Sequence, residues 1–342
     1  MSTRADNASS FAVICKFELS KGLIMSSSVV SSFFHHVFKN GVFFAIKKSI
    51  VYLRMSSRRS HPIYRDGSAY IRKQCSLRSY YNLPSFSMED GLSFGTYAGQ
   101  SHLMLVRPGD FIESTVMQFG CWEPHIVAII DRFLSNAQST LCVDIGSNVG
   151  ATVLPLATSH PNCNFVCFEA HLAIHHRASV NVGLNGLRNV TLENRAVSDT
   201  TGFVKFYAQV GGGNMGLSSV KLNPDIHDFK EVQISSISID DFFADCIQRI
   251  SVLKIDVQGA ELLVLKGSKK TIARFKPAIV FEFEDQYFPD TDDRMRTKNE
   301  ISLLFMELGY TMFAIIGDDF NFYPKILSLS SFNGEILALS TC

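Results

Sequence analysis

The sequence lacks the usual signatures of a metal site. Its eight cysteines, at 15, 75, 121, 142, 163, 167, 246 and 342, form no pair of CxxC units, and no HExxH occurs. This excludes the common zinc frameworks. Several cysteines sit inside apolar runs, as Cys142 does between Leu141 and Val143; buried free thiols in a reducing compartment account for them. Net charge is missing too: 32 Lys+Arg balance 32 Asp+Glu, so global charge argues for no acidic partner and no nucleic acid. No apolar stretch suits a membrane-spanning helix, because the Phe-, Val- and Ile-rich segment 29–53 carries His35, His36, Lys39, Lys47 and Lys48. The apolar run 11–15 is too short for a signal-peptide core, and Lys16 and Glu18 follow it. These absences lead us to expect a cytoplasmic protein.

What is present is unevenly spread. Residues 1–60 hold nine of the basic side chains and only two of the acidic ones. A basic arm of this kind is either a poorly ordered tail, which we favour, or a device for meeting an anionic surface. Phe34, Phe38, Val42, Ile46, Ile50 and Leu53 fall on one i, i+4 ridge. Such a helix could lie weakly on a membrane surface, making the protein peripheral, or pack on the protein's own body or a partner; packing is preferred. Residues 56–90 are rich in Ser, Arg and Tyr and read as a lead-in. Between 91 and 120, Gly91, Gly95, Gly99, Pro108 and Gly120 separate short apolar runs, which reads as hairpins. Residues 123–134 have helical spacing. The division expected is an arm at 1–60, a lead-in or substrate cap at 61–138, and a catalytic domain at 139–342.

From 139 onward short apolar runs alternate with helical segments. Strands are expected at 141–145, 164–168, 190–193, 252–255 and 278–283, with two last ones at 310–316 and 336–340 and an added one at 203–208. Helices are expected at 148–158, 171–184, 239–247, 260–275 and 301–308, with Pro155 a candidate kink and Gly267 a weak point. Alternation of this kind means an α/β fold: a doubly wound, mostly parallel sheet covered on both faces, here preceded by a helical and hairpin extension. Ligands in such sheets bind at the carboxyl ends of the strands, so the chemistry should lie just after each strand.

After the first strand comes Asp144-Ile145-Gly146-Ser147-Asn148-Val149-Gly150. The small residues let backbone approach a ligand. This turn is not the G-x-G-x-x-G of dinucleotide sites. A leading Asp would repel a pyrophosphate but suits the ammonium end of an amino-acid moiety. Glu169 closes the second strand, twenty-five residues after Asp144. A carboxylate there can accept both hydroxyls of a ribose. Together they favour a ligand with a free ribose, an adenine and no phosphate. Ala196 and Val197, after the third strand, could wall the adenine ring or simply pack. After the fourth and fifth strands come Asp256, Glu261, Glu282 and Glu284. Carboxylates converging on one sheet edge are costly unless they serve ligands or are paired. Clustered carboxylates could in principle hold Mg²⁺, but we expect no metal.

In several blocks, in order, the chain resembles the FkbM-type methyltransferases, a Rossmann-like branch of the class I enzymes that use S-adenosylmethionine. The blocks are the Cys142–Gly150 turn, Phe168-Glu169, Asn181 with Leu184-Asn185-Gly186-Leu187, Asn189–Leu192 running into Ala196-Val197-Ser198-Asp199, and Ile239-Asp240-Asp241-Phe242. The most specific is Leu253-Lys254-Ile255-Asp256-Val257-Gln258-Gly259-Ala260-Glu261, followed by Val264–Gly267, Pro277 and Phe281-Glu282. The family usually has Ala at Ser147, Glu at Gln258, and Pro after the second-strand Glu. The resemblance implies a seven-stranded sheet. It implies S-adenosylmethionine held by Asp144, Gly146, Ser147, Asn148 and Gly150 at its methionine end, by Glu169 at its ribose, and beside Ala196 and Val197 at its adenine. Asp256 and Glu261 would stand at the methyl-transfer crevice.

The activity implied is O-methylation of a sugar, glycolipid or polyketide-like metabolite, with a small-molecule or glycan acceptor. An alcohol needs a base; Asp256, Glu261, Glu282, Glu284 and His171 are candidates, and Asp256 and Glu261 are preferred because they follow the central strand. Two other readings of the same fold are a nucleotide-linked oxidoreductase, disfavoured by the turn after the first strand, and a non-catalytic protein that binds the cofactor.

Overall fold

The computed structural model describes residues 91–341 apart from 98–99, 108, 136–138, 210–215, 217, 222–228, 316–328 and 330–331. The basic arm, the apolar ridge within 29–53 and most of the Gly211–Gly216 loop therefore lie outside the described residues.

The described chain opens with an antiparallel hairpin, β1 (Gly91–Tyr97) and β2 (Gln100–Val106), then α1 (Phe111–Phe119) and α2 (Pro124–Ser135). The hairpin matches expectation, whereas α1 has no counterpart in it. Asp110 caps α1, its side chain accepting from Glu113 N–H, and Gly120 ends it in the left-handed region at φ 84°.

Then comes the α/β body: β3 (Leu141–Ile145), α3 (Val153–Ser159), β4 (Asn164–Phe168), α4 (Leu172–Leu184), β5 (Val190–Glu193), β6 (Ala196–Val197), β7 (Gly202–Gln209), β8 (Phe229–Ile237), α5 (Ile239–Phe242), β9 (Ile250–Ile255), α6 (Glu261–Lys266), α7 (Lys269–Phe275), β10 (Ala278–Phe283), α8 (Thr291–Glu307), β11 (Tyr310–Ala314) and β12 (Gly334–Ser340). Seven strands form one sheet in the order β11-β12-β10-β9-β3-β4-β5. Neighbours are parallel from β10 to β5, and β12 runs antiparallel to both β10 and β11. The order reverses beside β3, where such sheets open a crevice.

Every residue of β3 and β9 is buried, because helices cover both faces. Alternate side chains divide the core. Val143, Ile145, Leu253 and Ile255 join Val264, Ile272, Ile301 and Phe305 on one face; Cys142 and Val252 join Ile126, Ile130, Val153 and Leu156 on the other. Asp144 and Lys254 are cross-strand neighbours within this buried stretch.

Four expected helices differ; the one expected at 301–308 starts ten residues earlier, where Asp290 caps α8 by accepting from Asp293 N–H. The first begins at Val153 rather than 148, because Gly146, Asn148 and Gly150 all adopt positive φ and keep the turn out of helix; Pro155 falls in its first turn, where its missing N–H is harmless. The segment 260–275 breaks into α6 and α7 at Gly267, where a Cβ would lie 2.1 Å from the Ser198 carbonyl oxygen. The segment expected at 239–247 is helical only over α5. Strand β8, not anticipated, pairs with β6 and β7 in a separate three-stranded sheet.

Residues 91–135 and the α/β body belong to one compact unit. Met104, Val106, Val116 and Met117 pack with Val149, Leu154 and Ile174. Asn181 and Asn185, on and just after α4, hold strand β2: Leu103 N–H donates to Asn185 Oδ1 and Leu105 N–H to Asn181 Oδ1, each at 2.7 Å. A buried Arg177–Glu113 ion pair at 2.7 Å ties α4 to α1.

Candidate active site

The turn after β3 is shaped by its neighbours. Gly146 (φ 83°) and Ser147 donate their N–H groups to Phe168 O at 2.9 and 3.0 Å, which draws the turn across the end of β4. A Cβ on Gly146 would lie 1.8 Å from the Asp256 carbonyl oxygen. No residue but glycine fits there, for backbone conformation and for space alike. Asn148 takes the left-handed region at φ 50°, with Val149 N–H donating to its own Oδ1 at 2.7 Å; Asn tolerates this conformation better than other side chains.

Glu169 is bound into the same turn. Its Oε2 accepts from Asn148 N–H at 2.9 Å and its Oε1 from His171 N–H at 2.8 Å. Asn194 Nδ2 donates to the Glu169 carbonyl at 2.8 Å. Burial pushes the Glu169 carboxyl up to about 7, against the pull of those two N–H donors. Each carboxylate oxygen keeps a further lone pair. Asp144 on β3 and Glu169, the residue after the neighbouring β4, thus flank one turn.

Asp144 is more enclosed than the sequence suggests. It is 2% exposed, and its Oδ1 faces the buried Lys254 ammonium at 3.3 Å. Burial raises its carboxyl while Lys254 opposes that. For Lys254 burial works downward, but Asp144, Asp256 and Glu123 outweigh it and hold the ammonium well above its ordinary value. Lys254 reaches Asp256 Oδ2 as well, at 3.6 Å. One cation therefore spans the acids that close β3 and β9. Asp144 Oδ1 is thus paired with the Lys254 ammonium, while Asp144 Oδ2 and Ser147 Oγ have no hydrogen-bond partner among the described residues. Buried polar atoms without partners beside a side-chain-free turn fit the amino-acid end of S-adenosylmethionine, and Glu169 fits its ribose.

Asp256 and Glu261 differ in surroundings. Asp256 keeps 27% of its side chain exposed. Glu261 is 2% exposed and turns back, its Oε1 accepting from Gly259 N–H at 2.9 Å, so that it braces the 256–260 loop. Its Oε2 has no hydrogen-bond partner among the described residues, and burial pushes its carboxyl up to about 7. Ala196 and Val197 are both buried in β6, and Val197 packs with Phe168 and Ile237 in the main core. His171 stands at the start of α4, its Nε2 3.3 Å from Gln209 O, and burial lowers it.

Three residues not singled out from the sequence join this edge. Glu335 is paired in register with Glu282, and its Oε2 lies 2.6 Å from His125 Nε2. Glu123, at φ 42°, is pushed up to about 8 by burial and by the charges of Glu335 and Asp256. Glu282 is pushed up to about 10 for like reasons. No local spacing links residue 123 to residue 335; only the antiparallel last strand brings them together. Among the described residues no three His, Cys, Asp or Glu side chains are grouped to hold a metal ion.

Residues 144–312 match the model of the methyltransferase FkbM domain. The chain carries an FkbM domain. The matched stretch runs from Asp144 in β3 into β11 and so covers Asp144, Glu169, Asp256, Glu261 and Glu282, but not Glu123, His125 or Glu335. Among curated proteins, Methyltransferase 1 of Beauveria bassiana is 27% identical over 141 residues, which is 36% of this chain and 57% of that protein. The 2-O-methyltransferase NoeI of Sinorhizobium fredii is 28% identical over 174 residues, which is 47% of this chain and 68% of NoeI. Among solved structures, methyltransferase FkbM of Methylobacillus flagellatus aligns with 16% identity and a TM-score of 0.35, over 59% of this chain and 43% of that one.

Proposed function

We propose that this FkbM domain protein transfers a methyl group from S-adenosylmethionine to a hydroxyl oxygen of a small-molecule or glycan acceptor. The observation that carries the reading is the joint geometry of Gly146 and Glu169: a turn with no room for a side chain, and a carboxylate fixed to that turn by Asn148 N–H at 2.9 Å. Asp144, Ser147, Asn148 and Gly150 would receive the methionine end, and Glu169 the ribose diol. The 2-O-methyltransferase name of the Sinorhizobium relative supports oxygen as the methylated atom.

When bound, the cofactor supplies a methyl group already activated by its sulfonium. The protein's remaining work is to hold the acceptor oxygen about 3 Å from that carbon and keep water away; alignment of this kind contributes at most about 7–11 kcal/mol. An alcohol must also lose its proton. Asp256 is the preferred acceptor of that proton, at the carboxylate oxygens left open by its partial exposure. Glu261 we assign to bracing the loop that carries Asp256.

Calorimetric titration of the full chain with S-adenosylhomocysteine and with NAD separates this reading from a nucleotide-linked oxidoreductase. Binding of the first alone is expected. Incubating extracts with isotopically labelled cofactor and the protein should then yield a product heavier by one methyl group. Cofactor binding with no methylated product in any extract would leave a binding protein on the same fold.

A further inference from the structure

We infer that Gln258 and Tyr287 are positioning residues that aim the Asp256 carboxylate through a two-bond relay. This rests on the reading of Asp256 as the proton acceptor. Gln258 Nε2 donates to Asp256 Oδ1 at 2.7 Å, and Tyr287 Oη donates to Gln258 Oε1. The directions follow from chemistry. An ionised carboxylate only accepts, so the amide nitrogen must face Asp256; the amide oxygen then faces Tyr287, whose hydroxyl must donate. The Tyr287 phenol is strongly disposed to keep its proton, because burial and then the Glu284, Asp256 and Glu282 charges raise it.

The backbone is built around this relay. Gln258 sits at φ 56°, a conformation unfavourable for a side chain of its kind. Ser219 Oγ donates to the Gln258 carbonyl at 2.8 Å and holds the turn. The next residue, Gly259, is at φ 97°, and a Cβ there would lie 2.7 Å from Tyr287 Cβ. The 256–259 loop and the 3-10 turn Asp285–Tyr287 are thus in direct contact, which keeps phenol and amide together. Asp256 is then held from two sides: its Oδ1 by the amide, its Oδ2 by Lys254 at 3.6 Å. A carboxylate fixed at both oxygens presents its remaining lone pairs in one direction only.

Other charged groups face Asp256 too. Asp144 and Lys254 come from β3 and β9, Glu169 from the end of β4, and Glu261 from α6. Glu123 precedes α2, and Glu282 lies on β10. Except for Lys254, all of these are acids, so the neutral amide is the uncharged donor among them.

The test uses the full chain with aspartate carboxyl carbons isotopically labelled for NMR, the Asp256 signal being the one lost in Asp256→Asn. In Gln258→Leu the titration midpoint of that signal should move up by about one pH unit, because a donor to the charged form is gone. Gln258→Glu should move it further, by adding a like charge. Tyr287→Phe should move it in the same direction by less. S-adenosylhomocysteine affinity should stay within about threefold in all three, since none of them touches the turn after β3. Midpoints unchanged in Gln258→Leu and Gln258→Glu, with ligand binding intact, would overturn the relay while leaving the methyltransferase reading standing. Failure of the unsubstituted chain to bind S-adenosylhomocysteine would instead overturn the reading on which the relay rests.

Discussion

Gly146 and Asp256 touch through their backbones: the space a Cβ would fill on Gly146 is occupied by the Asp256 carbonyl oxygen, 1.8 Å away. The turn after β3 and the loop after β9 are therefore one packed unit, and Asp256 N–H donates to Ile145 O at 2.9 Å beside that contact. The two backbones are fixed to each other at this point, independently of the side chains that the loop after β9 carries. Gly146→Ala should then lose S-adenosylhomocysteine binding and destabilise the chain by more than about 2 kcal/mol, since both backbone strain and displacement of a carbonyl are forced. Gly186→Ala is the control. It has a left-handed φ of 60° with nothing within 4 Å of the new Cβ, so strain alone should cost about 1–2 kcal/mol and binding should persist. Equal effects in thermal melts and calorimetry would show that the contact with Asp256 is irrelevant.

Much of this was legible in the sequence because parallel sheets write themselves plainly. Buried runs such as 141–145 and 278–283 carry Asp144 and Glu282 one residue before their ends, and an acid near the end of an apolar run marks a strand end. Glycines that stop a helix or allow close approach, Gly146 and Gly267, were readable as small residues; what they approach was not. Which acids Lys254 pairs with, Asp144 and Asp256, was hidden because a lysine inside an apolar run shows no particular partner until β3 and β9 are paired. Glu123 and Glu335 were hidden for the same reason at longer range. Helix α1 was missed because Gly91, Gly95 and Gly99 set a hairpin pattern that does not extend beyond Val106. Gln258 was noticed as a departure from a family pattern, yet its contact with Tyr287 depends on a turn twenty-odd residues away, which no period reveals.

Removing Lys254 should be severe. Lys254→Met leaves Asp144 buried with its counter-charge gone, and breaking a buried pair from one side commonly costs about 3–5 kcal/mol. Adding Asp144→Asn to Lys254→Met should recover a large part of that loss, because the uncompensated charge is removed with it. Urea unfolding of the four proteins in the cycle measures the coupling. Losses that simply add would mean the 3.3 Å pair carries no energetic weight.

Glu169 sets a dependence on pH that runs oppositely for stability and for binding. Its folded-state carboxyl titrates near about 7 against an ordinary value of 4.5. Between these values the folded chain holds the proton more tightly than the unfolded one. The resulting stabilisation, on the order of 3 kcal/mol, is complete below about 4.5 and is lost as pH rises through about 7. Ribose hydroxyls need the ionised acceptor, so S-adenosylhomocysteine affinity should fall as pH drops below about 7. Glu169→Gln should remove both dependences: the difference in unfolding free energy between the two proteins should change from pH 5 to pH 8, and the variant's dissociation constant should be flat over that range. A wild-type affinity that is equally flat would take Glu169 out of the ribose role.

The hairpin before the α/β body owes its position to two side-chain amides. Asn185 both accepts from Leu103 N–H and donates to Leu103 O, each at 2.7 Å, while Asn181 accepts from Leu105 N–H and donates to Val149 O at 2.9 Å. Because Val149 belongs to the turn after β3, Asn181 joins the hairpin directly to the candidate cofactor site. Asn185→Ala should free only the hairpin, at a cost of about 1–3 kcal/mol for the backbone groups left unpaired. Asn181→Ala should cost a similar amount and also weaken S-adenosylhomocysteine binding several-fold, because the turn loses an anchor. Hydrogen exchange at the Leu103 and Leu105 amides reports the first effect and calorimetry the second. If Asn181→Ala speeds exchange at Leu105 yet leaves affinity untouched, the hairpin is a cover on α4 with no bearing on the site. A loss of affinity in Asn181→Ala alone means that the Asn181 amide itself, through Val149 O, fixes the turn that receives the cofactor.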